Sequence, residues 1–343
     1  MSGRFLASLA VLGVAAFAFD QAEIELLAKR RVFPEMGAGL VALKKDAAGR
    51  YLILSSRASG AAIYDVKEQR LGQIPPAPLS AGSTPSNLQT QSSALAFASD
   101  LDITSDGRIV IADRGANALK FYDAAGALVQ TVAFPQPSSV AALAEGEVAT
   151  TSAAFGSARE QNGRLIVVFD KRGKEARTFA DPVELAERRD LNRFLNIGRV
   201  LSDPASALYY AFTFLPEPTV RKFDRFGYST LEIVLATPEF MPAAQAARRE
   251  IKRQDEHRAG TPQFKTILNA LGVDPESHHI WLATGNVLLH FDAEGTRLAT
   301  YRCYTDEGAR LEPIAILVEP GRLLLASDPL GIYEFTRPDK PKQ

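Results

Sequence analysis

Residues 111–131 read IADRGANALKFYDAAGALVQT, two short apolar stretches that are each followed by turn-forming residues. The second stretch ends at Asp123, and Gly126 follows three residues later. An aspartate at the start of a turn accepts hydrogen bonds from backbone N–H groups, and a glycine supplies the positive φ that closes a hairpin with a bulge. The segment therefore predicts a tight antiparallel hairpin.

The same aromatic-Asp-x-x-Gly pattern recurs along the chain at intervals of about 45 to 65 residues. Complete copies occupy residues 121–126, 168–173, 222–227 and 290–295, and partial copies lie at 63–66 and 332–335. Further turns and apolar stretches accompany each copy, as at residues 128–132. Four short antiparallel strands repeated six times predict an all-β fold, a six-bladed β-propeller. A helical solenoid is disfavoured because the apolar residues lack a 3.6-residue period.

The last copy has no outer strand of its own, because the chain becomes proline-rich and ends soon after it. Residues 22–33 form a spare apolar stretch near the N-terminus, and we expect them to pair with the last blade and close the ring. Closure of this kind removes an exposed sheet edge. The predicted domain covers residues 19–338, and residues 339–343 form a short tail.

The first residues have the pattern of a secretory signal peptide. A basic residue at Arg4 precedes an apolar run over residues 5–19, and small residues at Ala16 and Ala18 suit cleavage. The run is shorter than the roughly 20 residues that span a bilayer. Residues 1–18 therefore predict export to the periplasm or the extracellular space, without stable membrane insertion. An uncleaved run anchoring a sensor domain, or a buried helix, are the alternatives.

Composition excludes some classes of function. The 39 basic and 40 acidic residues leave a net charge of −1, which does not favour sequence-independent nucleic-acid binding. Cys303 is the only cysteine, so the chain can form neither an internal disulfide nor a cysteine metal cluster.

Residues 101–126 resemble an NHL repeat. The residues that carry the resemblance are Asp106-Gly107, Ala112-Asp113, Asn117, Tyr122-Asp123 and Gly126. The match is partial in the blades that end at residues 173, 227 and 295, and poor in the first and last. The resemblance implies a six-bladed propeller that binds or scaffolds more often than it catalyses.

The two faces of such a propeller differ in loop length. Turns between first and second strands and between third and fourth strands share one face, the short-turn face. The opposite, long-loop face receives residues 75–99, residues 152–163, and two predicted helices within 181–194 and 237–260, with Pro182 and Pro242 near their starts.

Long inserts on a rigid scaffold commonly carry binding sites. We therefore expect a non-catalytic protein, without a cofactor, that binds a protein, peptide or glycan on the long-loop face. Its oligomeric state is left open. The candidate ligand-binding residues at or near inner loops of this face are Arg57, Arg114, Asn117, Arg159, Asn286 and Asp328.

The alternative is a metal-dependent hydrolase or lyase. Some propellers of the lactonase and amidating-lyase types hold a metal ion in the central channel. The polar residues near the inner-strand ends here are Asp100, Asn196, Asn269 and Glu312. A hydrated channel rim or turn capping explains these residues without a metal. The four histidines do not have the spacing of a known metal motif.

Overall fold

The computed structural model describes residues 14–15, 23–76, 94–153, 163–257 and 262–338. The signal sequence, except for two residues, and the candidate Arg159 lie outside these ranges. Three short strands precede the first blade, namely β1 (Val14–Ala15), β2 (Ile24–Leu27) and β3 (Arg30–Val32). The chain forms six antiparallel sheets of four strands arranged as the blades of a propeller, as predicted, and β1 and β2 add to the edges of two of them.

The blades follow one another along the chain. Blade I contains β4 (Leu40–Lys45), β5 (Tyr51–Ser55), β6 (Ala61–Tyr64) and β7 (Arg70–Ile74). Blade II contains β8 (Ala98–Ile103), β9 (Ile109–Asp113), β10 (Ala118–Tyr122) and β11 (Leu128–Ala133). Blade III contains β12 (Pro137–Ala142), β13 (Val148–Ser152), β14 (Ile166–Phe169) and β15 (Glu175–Phe179).

The second half of the ring repeats this order. Blade IV contains β16 (Gly198–Ser202), β17 (Leu208–Phe212), β18 (Thr219–Phe223) and β19 (Ser229–Val234). Blade V contains β20 (Ala270–Val273), β21 (Ile280–Thr284), β22 (Val287–Phe291) and β23 (Arg297–Tyr304). Blade VI contains β24 (Ala315–Glu319), β25 (Arg322–Ser327) and β26 (Gly331–Thr336), with β3 as its outer strand. β1 pairs in parallel with β19.

The repeated aspartate forms the predicted turn. Asp123 Oδ1 accepts the backbone N–H groups of Ala125 and Ala127 at 3.0 and 2.9 Å, and Gly126 has a φ of 88°. Asp170, Asp224 and Asp292 repeat this arrangement. In blade I, Glu68 takes the glycine position with a φ of 64°. The partial copy therefore keeps the turn geometry.

The N-terminal segment closes the ring, but the single strand predicted over residues 22–33 is in fact two. β3 pairs antiparallel with β26 of blade VI, whereas β2 pairs in parallel with β23 of blade V. Burial explains the division. Val32 and Phe33 are buried, and Phe33 packs against Tyr51 of blade I at a centroid distance of 5.2 Å. Leu27, by contrast, is 59% exposed.

The core is divided among the junctions between neighbouring blades. Six clusters of buried apolar side chains lie at these junctions, one for each pair of adjacent blades. The junction between blades VI and I includes Val32 and Phe33, so the N-terminal segment completes the last of the six. Each blade therefore buries its apolar faces against its two neighbours rather than within itself.

Within the described ranges, two α-helices lie on the long-loop face, α1 (Arg189–Leu195) and α2 (Met241–His257). Helix α2 begins next to Pro242, as predicted. The helix predicted from residue 181 is wrong in its first half. There, Asn192 Oδ1 accepts the N–H groups of Leu185 and Ala186 at 3.0 and 2.8 Å, which holds this non-helical segment against α1. Among the described residues, no helix is long and apolar enough to cross a membrane.

Candidate functional site: a charged central channel

The inner strands of all six blades line a cavity of about 600 Å³ at the centre of the ring. Its mouth lies on the short-turn face, because turns from every blade border it. The bordering turn residues are Asp46, Ser105, Ala144, Pro204, Pro275 and Pro320. A concave site of this size is large enough for a small-molecule ligand.

Blades I to IV supply the polar half of the lining. Asp100 and Asp102 lie two residues apart on β8, so their side chains point the same way. Lys44 comes from β4 and Arg199 from β16. Two carboxylates and two cations therefore meet in the channel, and their formal charges cancel.

Asp100 is held by hydrogen bonds to its neighbours. Ser139 Oγ donates to Asp100 Oδ2 at 2.6 Å, and the backbone N–H groups of Val140 and Leu101 donate at 3.1 and 2.9 Å. Burial raises the pKa of Asp100 above its ordinary value, even though the charges of Lys44 and Arg199 and the hydrogen bonds from Ser139 and Val140 act in the opposite direction. A carboxyl group with a raised pKa in a cavity marks a candidate functional position.

Asp102 forms an ion pair with Lys44. The Lys44 Nζ atom lies 3.3 Å from Asp102 Oδ1. Asp102 also accepts the N–H groups of Ala142 and Ile103, both at 2.9 Å. These bonds join blades I, II and III around the polar wall.

Arg199 is less completely paired. Its Nη1 donates to the backbone carbonyl of Ile314 at 2.8 Å, across the channel from blade IV to the segment before blade VI. Burial lowers the pKa of the Arg199 guanidinium, and the negative charge of Asp100 opposes this effect. Among the described residues, no carboxylate lies within ion-pair distance of Arg199.

Blades V and VI form the apolar half of the lining. Their inner strands contribute the side chains of Leu271, Val273, Ala315, Ile316, Leu317 and Val318. Glu319 is the charged exception, at the rim. The cavity is therefore amphipathic, with its charged wall on blades I, II and IV and its apolar wall opposite.

Carboxylates at the rim are turned into the blades. Asp46 pairs with Arg50 and its side chain is 8% exposed, whereas Glu319 pairs with Lys45 and Arg322 and is 6% exposed. Asp203 Oδ2 lies 3.0 Å from His278 Nδ1, and its side chain is 2% exposed. Since all three have partners, little negative charge faces the opening.

The four residues considered for a channel metal do not come together. Of these, Asp100 lines the cavity. Asn196 is buried, and its side chain bonds the backbone of Val183, which fastens the segment before α1. Asn269 and Glu312 are not part of the cavity lining, and Glu312 is exposed. The described ranges contain no group of three or more His, Cys, Asp or Glu side chains placed to hold a metal ion.

The five described candidates on the long-loop face lie in the loops between the second and third strands of four blades, and none borders the channel. Arg57 and Arg114 are exposed. Asn117 Oδ1 accepts the Gln136 N–H at 2.9 Å, and Asp328 Oδ1 accepts the Gly39 N–H at 2.8 Å. Asn286 is half-buried. The structure thus gives two of them a role in loop geometry, and their role in binding stays a prediction.

The same face carries a smaller groove of about 400 Å³ beside α2. Its lining residues are Leu185, Glu187, Pro216, Glu217, Arg248, Ile251, Lys252, Asp255 and Glu256. Two of its cations have acidic partners, because Arg248 pairs with Glu217 and Lys252 with Glu256. The groove combines an apolar floor with a charged rim.

The fold and the site together define the structural class of this protein. It is a six-bladed β-propeller with an amphipathic central channel. No protein-family model and no curated protein sequence matches the chain. The resemblance to NHL repeats is therefore confirmed for the six-bladed fold and not for that repeat family.

The fold is similar to solved structures at low sequence identity. A catalytically inactive virginiamycin B lyase from Staphylococcus aureus, with quinupristin, has a TM-score of 0.55 and 12% identity, over 89% of this chain and 83% of that one. A gluconolactonase from Xanthomonas campestris has a TM-score of 0.52 and 14% identity, over 91% and 89%. An auxiliary nutrient binding protein from Bacteroides ovatus has a TM-score of 0.55 and 11% identity, over 92% and 76%. Likeness at this level shows the fold alone.

Proposed function

We propose that this propeller binds a small molecule that carries a polar or charged group in its central channel, which the molecule enters from the short-turn face. The observation that carries the proposal is the 600 Å³ cavity in which Lys44, Asp100, Asp102 and Arg199 converge. Charged groups in a folded interior are costly unless they are paired, and they concentrate where ligands bind. Export of the chain remains part of this proposal, supported by the apolar N-terminal run.

A channel-blocking variant tests the proposal. Val273 borders the cavity and is half-buried, so Val273→Trp should fill part of the space. Val129→Trp is the matched control, because Val129 lies on the outer strand of blade II and is 51% exposed. We expect compounds from a small-molecule collection to raise the melting temperature of the wild type and of Val129→Trp, but not of Val273→Trp. Equal responses in all three proteins would place the ligand elsewhere.

Catalysis on the channel ligand is a second candidate, supported by the raised pKa of Asp100 in the cavity. A carboxyl group whose pKa is raised retains its proton to higher pH than an ordinary aspartate, which suits a general acid. The metal-dependent form of this candidate has no ligand cluster among the described residues. Lactone turnover by the purified protein, lost in Asp100→Asn, supports catalysis. No turnover, together with elemental analysis showing no stoichiometric metal, removes the hydrolase alternative.

Partner binding on the long-loop face is a separate candidate, and the groove beside α2 supports it. Leu185 in this groove is 46% exposed, which suits contact with a protein or peptide. Leu185→Asp should abolish capture of a partner from the native envelope fraction. Leu71→Asp is the matched control, since Leu71 is 58% exposed on the outer strand of blade I. Capture that survives Leu185→Asp would exclude the groove.

A further inference from the structure

We infer that the channel ligand is a monocarboxylate with an apolar body, whose carboxylate binds the Arg199 guanidinium. The inference rests on the proposed function, because it names the chemical class of the ligand for the same cavity. Its basis is that the described residues give Arg199 no carboxylate partner within ion-pair distance, whereas Lys44 is paired with Asp102 and the two aspartates each accept several hydrogen bonds.

Arg199 has donors to spare. A guanidinium carries five N–H donors in a planar fork that matches the two oxygens of a carboxylate. One nitrogen of Arg199 bonds the Ile314 carbonyl, and the described residues provide no carboxylate within ion-pair distance. Lys44, by contrast, is paired with Asp102. Arg199 is therefore the cation that a ligand can engage without breaking an ion pair of the protein.

The charge balance favours a single negative charge on the ligand. Asp100 and Asp102 share the polar wall with Arg199 and Lys44, so the formal charges of the four groups, all ionised, sum to zero. A dianion such as a phosphate monoester would add two charges beside two carboxylates, which is unfavourable in a site of low dielectric. A single carboxylate adds half as much negative charge as a dianion. One carboxylate also matches the one guanidinium that is incompletely paired.

The opposite wall determines the rest of the ligand. Leu271 and Val273 of blade V and Ile316 and Leu317 of blade VI present carbon to the cavity. Burying apolar ligand surface there contributes about 25 cal/mol per Å². A ligand that is polar throughout, such as a sugar acid, would leave hydroxyl groups without hydrogen-bond partners against this wall.

Calorimetric titration with matched acid and amide pairs tests the inference. The probes are 3-phenylpropionate and octanoate, each with its primary amide, and gluconate as the polar acid. We expect the wild type to bind at least one apolar acid about tenfold or more tightly than its amide, and more tightly than gluconate. In Arg199→Met the preference for acid over amide should disappear. Arg199→Lys should retain part of it, because the charge remains while the planar fork is lost.

Arg302→Met is the control for removal of a positive charge. Arg302 lies on β23, where it pairs with Glu23 at the exposed edge of blade V, remote from the channel lining. The acid preference should be unchanged in this variant. If Arg199→Met does not fold, the preference for acid over amide is compared between Arg199→Lys and the wild type instead, and it should be smaller in Arg199→Lys.

The outcomes separate this inference from the proposed function. Amides that bind as tightly as acids, an acid preference that survives Arg199→Met, or tighter binding of gluconate each overturn the carboxylate inference alone. The carboxylate inference alone also fails if neither apolar acid binds but other compounds do, provided that the binding of those compounds is lost in Val273→Trp, which places them in the channel. If no compound binds the wild type, both the inference and the channel proposal fail.

Discussion

The interior of blade II and the channel beside it treat charged side chains differently. Inside the blade, Asp113 is fully buried, lies 2.9 Å from Lys120 Nζ and accepts the N–H groups of Ala96 and Phe97 at 3.0 and 2.9 Å. Burial opposes ionisation of Asp113, but these amides and Lys120 outweigh it and lower its pKa. In the channel, burial prevails and raises the pKa of Asp100. The charge within the blade is fully paired, whereas the channel contains one guanidinium, that of Arg199, with no carboxylate partner among the described residues.

Removal of the N-terminal segment is the strongest test of whether burial in and between the blades stabilises the fold. Deleting residues 22–33 removes β2 and β3 and exposes the junction between blades VI and I, where Val32 and Phe33 are buried. We expect the largest loss of stability among these tests, seen as a sharp fall in the melting temperature. Deleting residues 339–343 is the control. A melting curve unchanged by the larger deletion would contradict closure by β3.

Lys120→Met should cost about 3 to 5 kcal/mol of unfolding free energy, because it leaves the Asp113 carboxylate buried without its cation. The side chain of Lys120 is 7% exposed. The measurement is urea unfolding at pH 7. Lys252→Met is the control, since Lys252 pairs with Glu256 in an exposed site and should change the free energy by less than about 1 kcal/mol. Similar losses in both variants would contradict the comparison.

A second group in a blade interior predicts acid sensitivity. Burial, with a smaller contribution from His279, lowers the pKa of His290 to about 4 from its ordinary 6.5. His290 stacks on Trp281 at a centroid distance of 3.8 Å, and its Nε2 lies 2.9 Å from His279 Nδ1. In the unfolded chain this histidine has its ordinary pKa and is protonated at a higher pH than in the folded chain. The contribution of neutral His290 to the free energy of unfolding is therefore complete above pH 6.5 and is lost as the pH falls toward 4, by about 3 kcal/mol.

Urea unfolding at several pH values between 7 and 4.5 measures this loss. In His290→Leu the dependence on pH should become shallower, whereas His257→Leu should behave as the wild type because His257 is exposed on α2. An unchanged slope in His290→Leu would show that other groups cause the acid sensitivity.

The smallest effect on stability is expected at Arg199. Arg199→Met removes a half-buried guanidinium that makes one hydrogen bond to Ile314, and it also removes the desolvation cost of that charge. The two effects should nearly cancel, so we expect a change in unfolding free energy within about 1 kcal/mol. Urea unfolding of Arg199→Met beside Lys120→Met gives the comparison directly. A decrease of several kcal/mol at Arg199 would mean that the channel charges, like those of the blade, mainly support the fold.

Several features of the fold could be predicted because they depend on neighbouring residues. The turn at Asp123 and Gly126 is determined within four residues, and the start of α2 depends on Pro242 and the residues around it. The helix predicted from residue 181 was wrong because Asn192 and Asn196 hold that segment by side-chain bonds that a residue pattern does not show. The division of residues 22–33 likewise depends on which two blades lie beside them.

The candidate site was predicted less well. Asp100 was identified as a channel residue, but Lys44, Asp102 and Arg199 were not. A signal was available, because each of the three places a charged residue within an inner strand that the repeat positions at the centre of the ring, where charged residues are uncommon. The cavity opens on the short-turn face, whereas the long inserts in the sequence predict binding on the opposite face, which carries them.

By itself, the sequence determined the number of blades, the geometry of the repeated turns and the use of the N-terminal segment to close the ring. Strand alternation and turn chemistry depend on residues that are neighbours in the chain, so they can be recognised in a single sequence. Only the tertiary structure decided that Lys44, Asp102 and Arg199 face one cavity, and that Arg199 is left with unused donors. These residues lie far apart in the chain, and their meeting depends on the diameter of the ring and on the direction of each inner strand.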